Sequence, residues 1–227
     1  METNQPTTLV TDLALAGVAA ACAAALVRRA GPSGATGRAP VLLWACGLGA
    51  LALGAAAGGV WHGFVEDLPA PALTALWTVV QWATGLASLL LLSACLRAAV
   101  APPLRTALVA LAGVKFAGFA VAQFGRDDFL LVVLDYGSGL VAVAAVCVWT
   151  WFRRRAPSAP WILAGIAVSA VAVAVQRGRL VLHPRFDEND LFHVVQAGGL
   201  LLLYRGGSLL GHGAGAEPAG PSPVHEA

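Results

Sequence analysis

Long apolar runs alternate with short polar breaks along nearly the whole chain, at approximately 8–27, 41–63, 73–96, 106–124, 129–152, 159–177 and 189–210. A hydrocarbon core of about 30 Å is crossed by about 20 helical residues, which is the length of these runs. The breaks are RRAGPSGATGRAP, VEDLPAPA, RAAVAPPLR, GRDD, RRRAPSAP and RGRLVLHPRFDEND, all rich in Pro, Gly or charge. Charges collect in these breaks instead of decorating one face of each run, so the pattern is not that of amphipathic surface helices. It predicts an all-α polytopic membrane protein of seven transmembrane helices over residues 1–210. The residues from 211 to 227, GHGAGAEPAGPSPVHEA, carry no apolar periodicity and read as a disordered tail.

The direction of the helices follows from where the arginines fall. The first, third and fifth breaks hold Arg28, Arg29 and Arg38, then Arg97 and Arg105, then Arg153, Arg154 and Arg155. Positive connections face the cytoplasm, so the N-terminus is expected outside and the C-terminus inside. The second break carries Glu66 and Asp67 without a base, and the fourth sets Arg126 beside Asp127 and Asp128. The sixth is mixed, with Arg177, Arg179 and Arg185 against Asp187, Glu188 and Asp190, and runs against the rule. The stretch METNQPTTLVTDL has Glu2 and Asp12 but no base, unlike the basic start of a secretory signal.

Composition points to lipid as the solvent. Of 227 residues, 58% are hydrophobic and 11% charged, and the mean hydropathy is +0.76. A net charge of +2 with dispersed bases offers no nucleic-acid stripe. Only Lys115 is Lys, and this Arg and Ala bias suggests a bacterial source and hence the inner cell membrane. Cys22, Cys46, Cys95 and Cys147 lie in apolar runs with no short ligand spacing, and read as small inert core residues.

Ionisable groups at membrane depth need a partner, a watery cavity or a function. His62 closes the second run in AAAGGVWHGF, and His193 lies about one turn into the seventh in DENDLFHVVQAGG. Asn189 and His193 are spaced i, i+4 and Asp190 and His193 i, i+3, so each pair shares a helix face. Topology brings His62, Glu66, Asp67, Asp127, Asp128, Asp187, Glu188, Asn189, Asp190 and His193 to one membrane face. Two histidines and a carboxylate there match the ligand count of a catalytic zinc. The plainer reading puts His62 in the interfacial aromatic belt beside Trp61 and His193 in an interhelical hydrogen bond. Deeper lie Asp135 in the fifth run and Lys115 in the fourth, a charge-neutralising pair if they meet. Gln81, Gln123, Gln176 and Gln196 read as interhelical hydrogen-bond partners. No GxSxG, P-loop or HExxH is present, and GLGALALGAAAGG reads as close-packing helix.

Seven helices, a histidine ending the second and a polar turn with histidine on the seventh resemble the CREST superfamily, which includes alkaline ceramidases and adiponectin-type receptors. The segments WHGF and NDLFHVVQAGGLLLLYRGG are similar, more closely, to bacterial membrane proteins distantly related to that group. The resemblance implies a zinc-dependent hydrolase of a lipid amide or ester, with a membrane lipid as substrate. His62 matches the histidine of the second helix and His193 the second histidine of the seventh. Gly58 stands where that family has Ser, Asn189 stands where it has the first histidine of the seventh helix, and the third helix lacks its Asp. The implied metal set is therefore His62, His193 and Asn189, with Asp190, Glu188 or Asp135 as the carboxylate that completes the shell or acts as base. A non-catalytic receptor, accessory or scaffold protein that has lost the full ligand set is the second reading. A proton-coupled carrier using Lys115, Asp135 and His193 is the third.

Overall fold

The computed structural model describes residues 4–30, 35–126, 128–183 and 186–213. These form seven helices, α1 Pro6–Arg29, α2 Ala35–Gly63, α3 Ala70–Ala99, α4 Pro102–Gln123, α5 Phe129–Arg154, α6 Ala159–Arg177 and α7 Glu188–Gly207, followed by a 3₁₀ turn at Leu210–Gly213. There is no strand among the described residues, only an isolated bridge between His183 and Phe186. The 3₁₀ turn overlaps the start of the expected tail, whose residues 214–227 lie outside the described residues.

Most helices extend a few residues past their apolar runs. The run marks what lipid requires, while the hydrogen-bonded backbone continues until a residue ends it. Proline stands in the first turn of α1, α3, α4 and α6, where its missing N–H leaves no bond unmade. The short GRDD break between α4 and α5 holds because Gly125 turns the chain at φ 69° and Asp128 caps α5, accepting from Leu130 N at 2.9 Å. At α7, Asp187 accepts from the backbone N–H groups of Asn189 and Asp190, and Asp190 Oδ2 accepts from Asp187 N at 3.0 Å, a reciprocal capping box.

Six helices, α1 to α6, are long and apolar enough to cross a membrane. The seventh carries Glu188, Asp190, His193 and Arg205, and it lies packed in the bundle against α1 and α6. The order of packing is α1 on α2, α2 on α3, α3 on α5, α5 on α6, α6 on α7 and α7 back on α1. These six contacts close a ring. Helix α4 stands outside it, against α3 and α5, with only Ala112, Phe119 and Gln123 of its 22 residues buried.

The core joins Leu15, Cys22 and Leu26 of α1, Trp44 and Leu48 of α2, Leu91 and Cys95 of α3, Val143 and Cys147 of α5, Ile162 of α6 and Leu200 and Leu203 of α7. Trp44 is fully buried and donates its Nε1–H to the Leu203 carbonyl at 3.0 Å, which satisfies the indole and fixes α2 against α7. Small residues set the closest approaches. A Cβ added at Gly59 of α2 would stand 2.9 Å from Asp12 Cβ of α1, so α1 can lie this near only because that position is glycine.

Helices consecutive in sequence run in opposite directions, which leaves α3 parallel to its neighbour α5 and α1 parallel to its neighbour α7, so the arginine-bearing ends of α1, α3 and α5 gather at one end of the bundle. The other end collects Asn4, Glu66, Asp67 and Asp187 to Asp190, with Asn4 donating to Asp67 at 2.8 Å and accepting from Glu66 N.

Candidate functional site

Among the described residues, two clusters within the helices join ionisable side chains from different helices. The first sits near the acidic end, between α1 and α7, with α2 behind it. Asp12, buried in α1, places Oδ1 3.1 Å from Nε2 of the buried His193 of α7. Thr11, one residue earlier, places its hydroxyl 3.1 Å from Nδ1 of the same ring and 3.2 Å from Asp190 Oδ1. The hydroxyl also lies 3.1 Å from the Thr8 carbonyl, the usual back-bond of a helical threonine. Helix periodicity explains the convergence on α7, since Asp190 and His193 lie three residues apart on one face. Among the described residues nothing hydrogen-bonds the buried Asp12 Oδ2, which lies beside Gly58, while Asp12 Cβ lies against Gly59.

Among the proton arrangements open to these groups, two differ by a single proton. In the first, Thr11 gives its hydroxyl hydrogen to His193 Nδ1, and the imidazole, protonated at Nε2, donates to Asp12 Oδ1. In the second, Thr11 turns its hydrogen to Asp190 Oδ1, and an imidazolium donates from Nδ1 to Thr11 and from Nε2 to Asp12. The second holds one proton more than the first. Uptake of that proton moves one hydrogen bond, from His193 to Asp190, with no change of helix position.

The second cluster joins α3, α4 and α5. Lys115 of α4 forms an ion pair with Asp135 Oδ1 and also donates to the Asp135 carbonyl at 2.7 Å and to Ser88 Oγ of α3 at 3.2 Å. Asp135 is buried, and among the described residues its Oδ2 accepts no hydrogen bond. Ser88 in turn donates to the Asp135 carbonyl at 3.1 Å. All donors of the ammonium are used within the protein.

The residues expected to bind metal do not assemble into a ligand set. His62 of α2 lies within electrostatic range of His193, and its ring meets Trp61 edge-on at 5.0 Å. Asn189 is turned to α6, where its Oδ1 accepts from Gln176 Nε2 at 2.6 Å. Both nitrogens of His193 face Asp12 and Thr11. Asp190 is held by the capping box and Thr11, Glu188 lies half-buried in the first turn of α7, and Asp135 belongs to the Lys115 cluster. Among the described residues, no three of His, Cys, Asp and Glu converge as metal ligands. The donor set as packed does not fit a tetrahedral zinc. Asp127 lies outside the described residues.

Thr11 and Asp12 escape a reading that treats them as the polar flank of the first run. The signal is nonetheless present, because Asp12 falls four residues inside a run that begins near 8 and is an ionisable group at membrane depth. Two glutamines take interhelical bonds, Gln176 to Asn189 and Gln196 to Ser169 at 3.1 Å, both tying α6 to α7. Gln123 instead donates to the Arg126 carbonyl at the end of its own helix.

No curated protein and no solved structure matches the chain. A family model described as a family of unknown function (DUF6962) matches residues 7–212, and the chain belongs to that family.

Proposed function

We propose that this chain is a seven-span, proton-coupled membrane carrier, its N-terminus outside and its C-terminus in the cytoplasm of a bacterial cell. The Asp12–His193 pair is its proton site. The observation that carries this reading is the placement of both ring nitrogens of a buried histidine, one on a carboxylate and the other on a hydroxyl that has a second carboxylate to turn to. Such a cluster accommodates one proton more or fewer with its heavy atoms in place, which is what a proton relay within a membrane requires. The arginine distribution supports a position for the cluster near the outer surface.

Infrared difference spectra of the reconstituted protein, taken between acidic and alkaline buffer, are expected to contain a histidine ring band absent from His193→Gln. Proteoliposomes under an imposed pH gradient should take up protons faster than empty vesicles, and Asp12→Asn should abolish the difference. Spectra unchanged by His193→Gln, or uptake unaffected by Asp12→Asn, would remove the proposal.

The reading as a CREST-like hydrolase of a membrane lipid amide or ester rests on the sequence resemblance at His62 and His193. It requires zinc to displace the Asp12 or Thr11 contact of His193. Elemental analysis of detergent-purified protein separates the two readings, because about one zinc per chain, lost in both His62→Ala and His193→Ala, belongs to the hydrolase alone. A relative that binds a lipid without turning it over would carry neither zinc nor proton flux.

A further inference from the structure

Arg177 and Arg179 stand at the α6–α7 connection, the basic break that runs against the arginine rule. Helix α6 ends there through a left-handed residue that is not glycine. Arg179 has φ 50°, Gly178 N donates to the Ala174 carbonyl at 2.8 Å, and Leu180 N donates to the Val175 carbonyl at 3.2 Å. This turn releases the chain into Leu180, Val181 and Leu182, which are 53%, 54% and 70% exposed. His183 and Phe186 then exchange backbone hydrogen bonds just ahead of Asp187, the cap of α7. Arg177 and Arg179 are both exposed, and among the described residues no carboxylate pairs with either.

Three consecutive aliphatic side chains left this open are unfavourable in water. Exposed aliphatics within α6, such as Val171 and Val173, face lipid because the helix is a membrane span. The loop residues stand beyond its last turn. The 19 residues of α6 rise about 28 Å, close to the thickness of the hydrocarbon core, so this turn ends at the level of the head groups. We propose that the α6–α7 loop is an interfacial anchor that docks on anionic phospholipids of the surrounding bilayer. Leu180, Val181 and Leu182 enter the acyl boundary, and the guanidinium groups of Arg177 and Arg179 take lipid phosphates. An apolar tip beside unpaired bases supplies the two attractions that hold a segment in a membrane surface, burial of apolar area and charge. Arginine here serves lipid binding, which accounts for its departure from the rule that orients the other breaks. The anchor also serves α7, which is not among the six apolar spans and carries Glu188 and Asp190 in its first turn. The loop ties the entry of that helix to the membrane surface. It shares no residue with the Asp12–His193 cluster and requires only that α6 crosses the membrane, so either can fail without the other.

The test uses the full chain with its exposed cysteine removed by Cys46→Ser, reconstituted in vesicles of phosphatidylcholine and phosphatidylglycerol, with a nitroxide on Leu182→Cys. Power saturation is expected to show frequent collisions with oxygen, which dissolves in lipid, and few with a water-soluble nickel complex. The same label on Glu66→Cys, in the exposed α2–α3 connection, should show the reverse. Because a label can itself favour lipid, the unlabelled wild type is also compared with Arg177→Gln combined with Arg179→Gln, using spin-labelled phosphatidylglycerol and spin-labelled phosphatidylcholine. The preference of the wild type for the anionic lipid should fall in the variant. A nitroxide at Leu182→Cys open to the nickel complex would overturn the proposal. So would one shielded from both reagents, which means that a partner protein or a second copy covers the loop, and so would a lipid preference identical in wild type and variant.

Discussion

Asp12 and Asp135 are both carboxylates buried among apolar helices, each with one oxygen bonded and one bare, yet they have opposite partners. Asp135 meets Lys115, a cation that also reaches a backbone carbonyl and Ser88, so its cluster is closed in one state. Asp12 meets His193, whose charge depends on a single proton and whose far nitrogen rests on a hydroxyl with another place to turn. Burial alone therefore does not distinguish a clamp from a switch inside a membrane. The chemistry of the partner does.

The sharpest way to break that contrast is to remove the fixed cation. Lys115→Met leaves Asp135 buried and uncompensated, and is expected to destabilise the bundle by about 3–5 kcal/mol, read as lower thermal stability in detergent. Replacing both partners, Lys115→Met with Asp135→Leu, should recover most of the loss, as a clamp predicts. Next in size is Gly59→Ala, whose added carbon meets Asp12 Cβ at 2.9 Å. It should cost about 1–3 kcal/mol by pushing α1 from α2, and should disturb the proton site without touching its polar atoms. Asp12→Asn keeps the shape of the side chain, and a loss of about 1 kcal/mol or less in stability is expected alongside complete loss of proton uptake. A fall as large as that of Lys115→Met would make Asp12 a clamp as well. Thr11→Val is the smallest change, about 1 kcal/mol at most, and removes the hydroxyl that distinguishes the two proton arrangements. Its signature is a shifted pH midpoint of the histidine band, with the band itself retained.

The helices were legible because each is an apolar run bounded by residues that end helices for stated reasons, down to the four-residue GRDD break, where Gly125 and Asp128 perform the turn and the cap. The pairing of Lys115 with Asp135 was legible too, since two opposite charges at membrane depth have few other partners. What failed to show was contact across the bundle. A carboxylate at the start of a run, such as Asp12, can face water or protein, and the decision lies with Gly58 and Gly59 on another helix. Asn189 sits at the right spacing from His193 to share a site, but Gln176 of α6 claims it, and nothing in either residue's own segment announces that bond.

Asp190 belongs at once to the capping box of α7 and to the Thr11 hydroxyl. A helix end normally has nothing to report to the interior. Here one carboxyl group holds the first turn of α7 with one oxygen and faces the histidine cluster with the other, so where the hydroxyl hydrogen rests is felt at the mouth of the helix. Turning it onto Asp190 draws electron density away from the oxygen that closes the box, and fraying of that turn draws density back. If the proposed proton site operates, amide exchange at Asp187 is expected to change with the charge on His193.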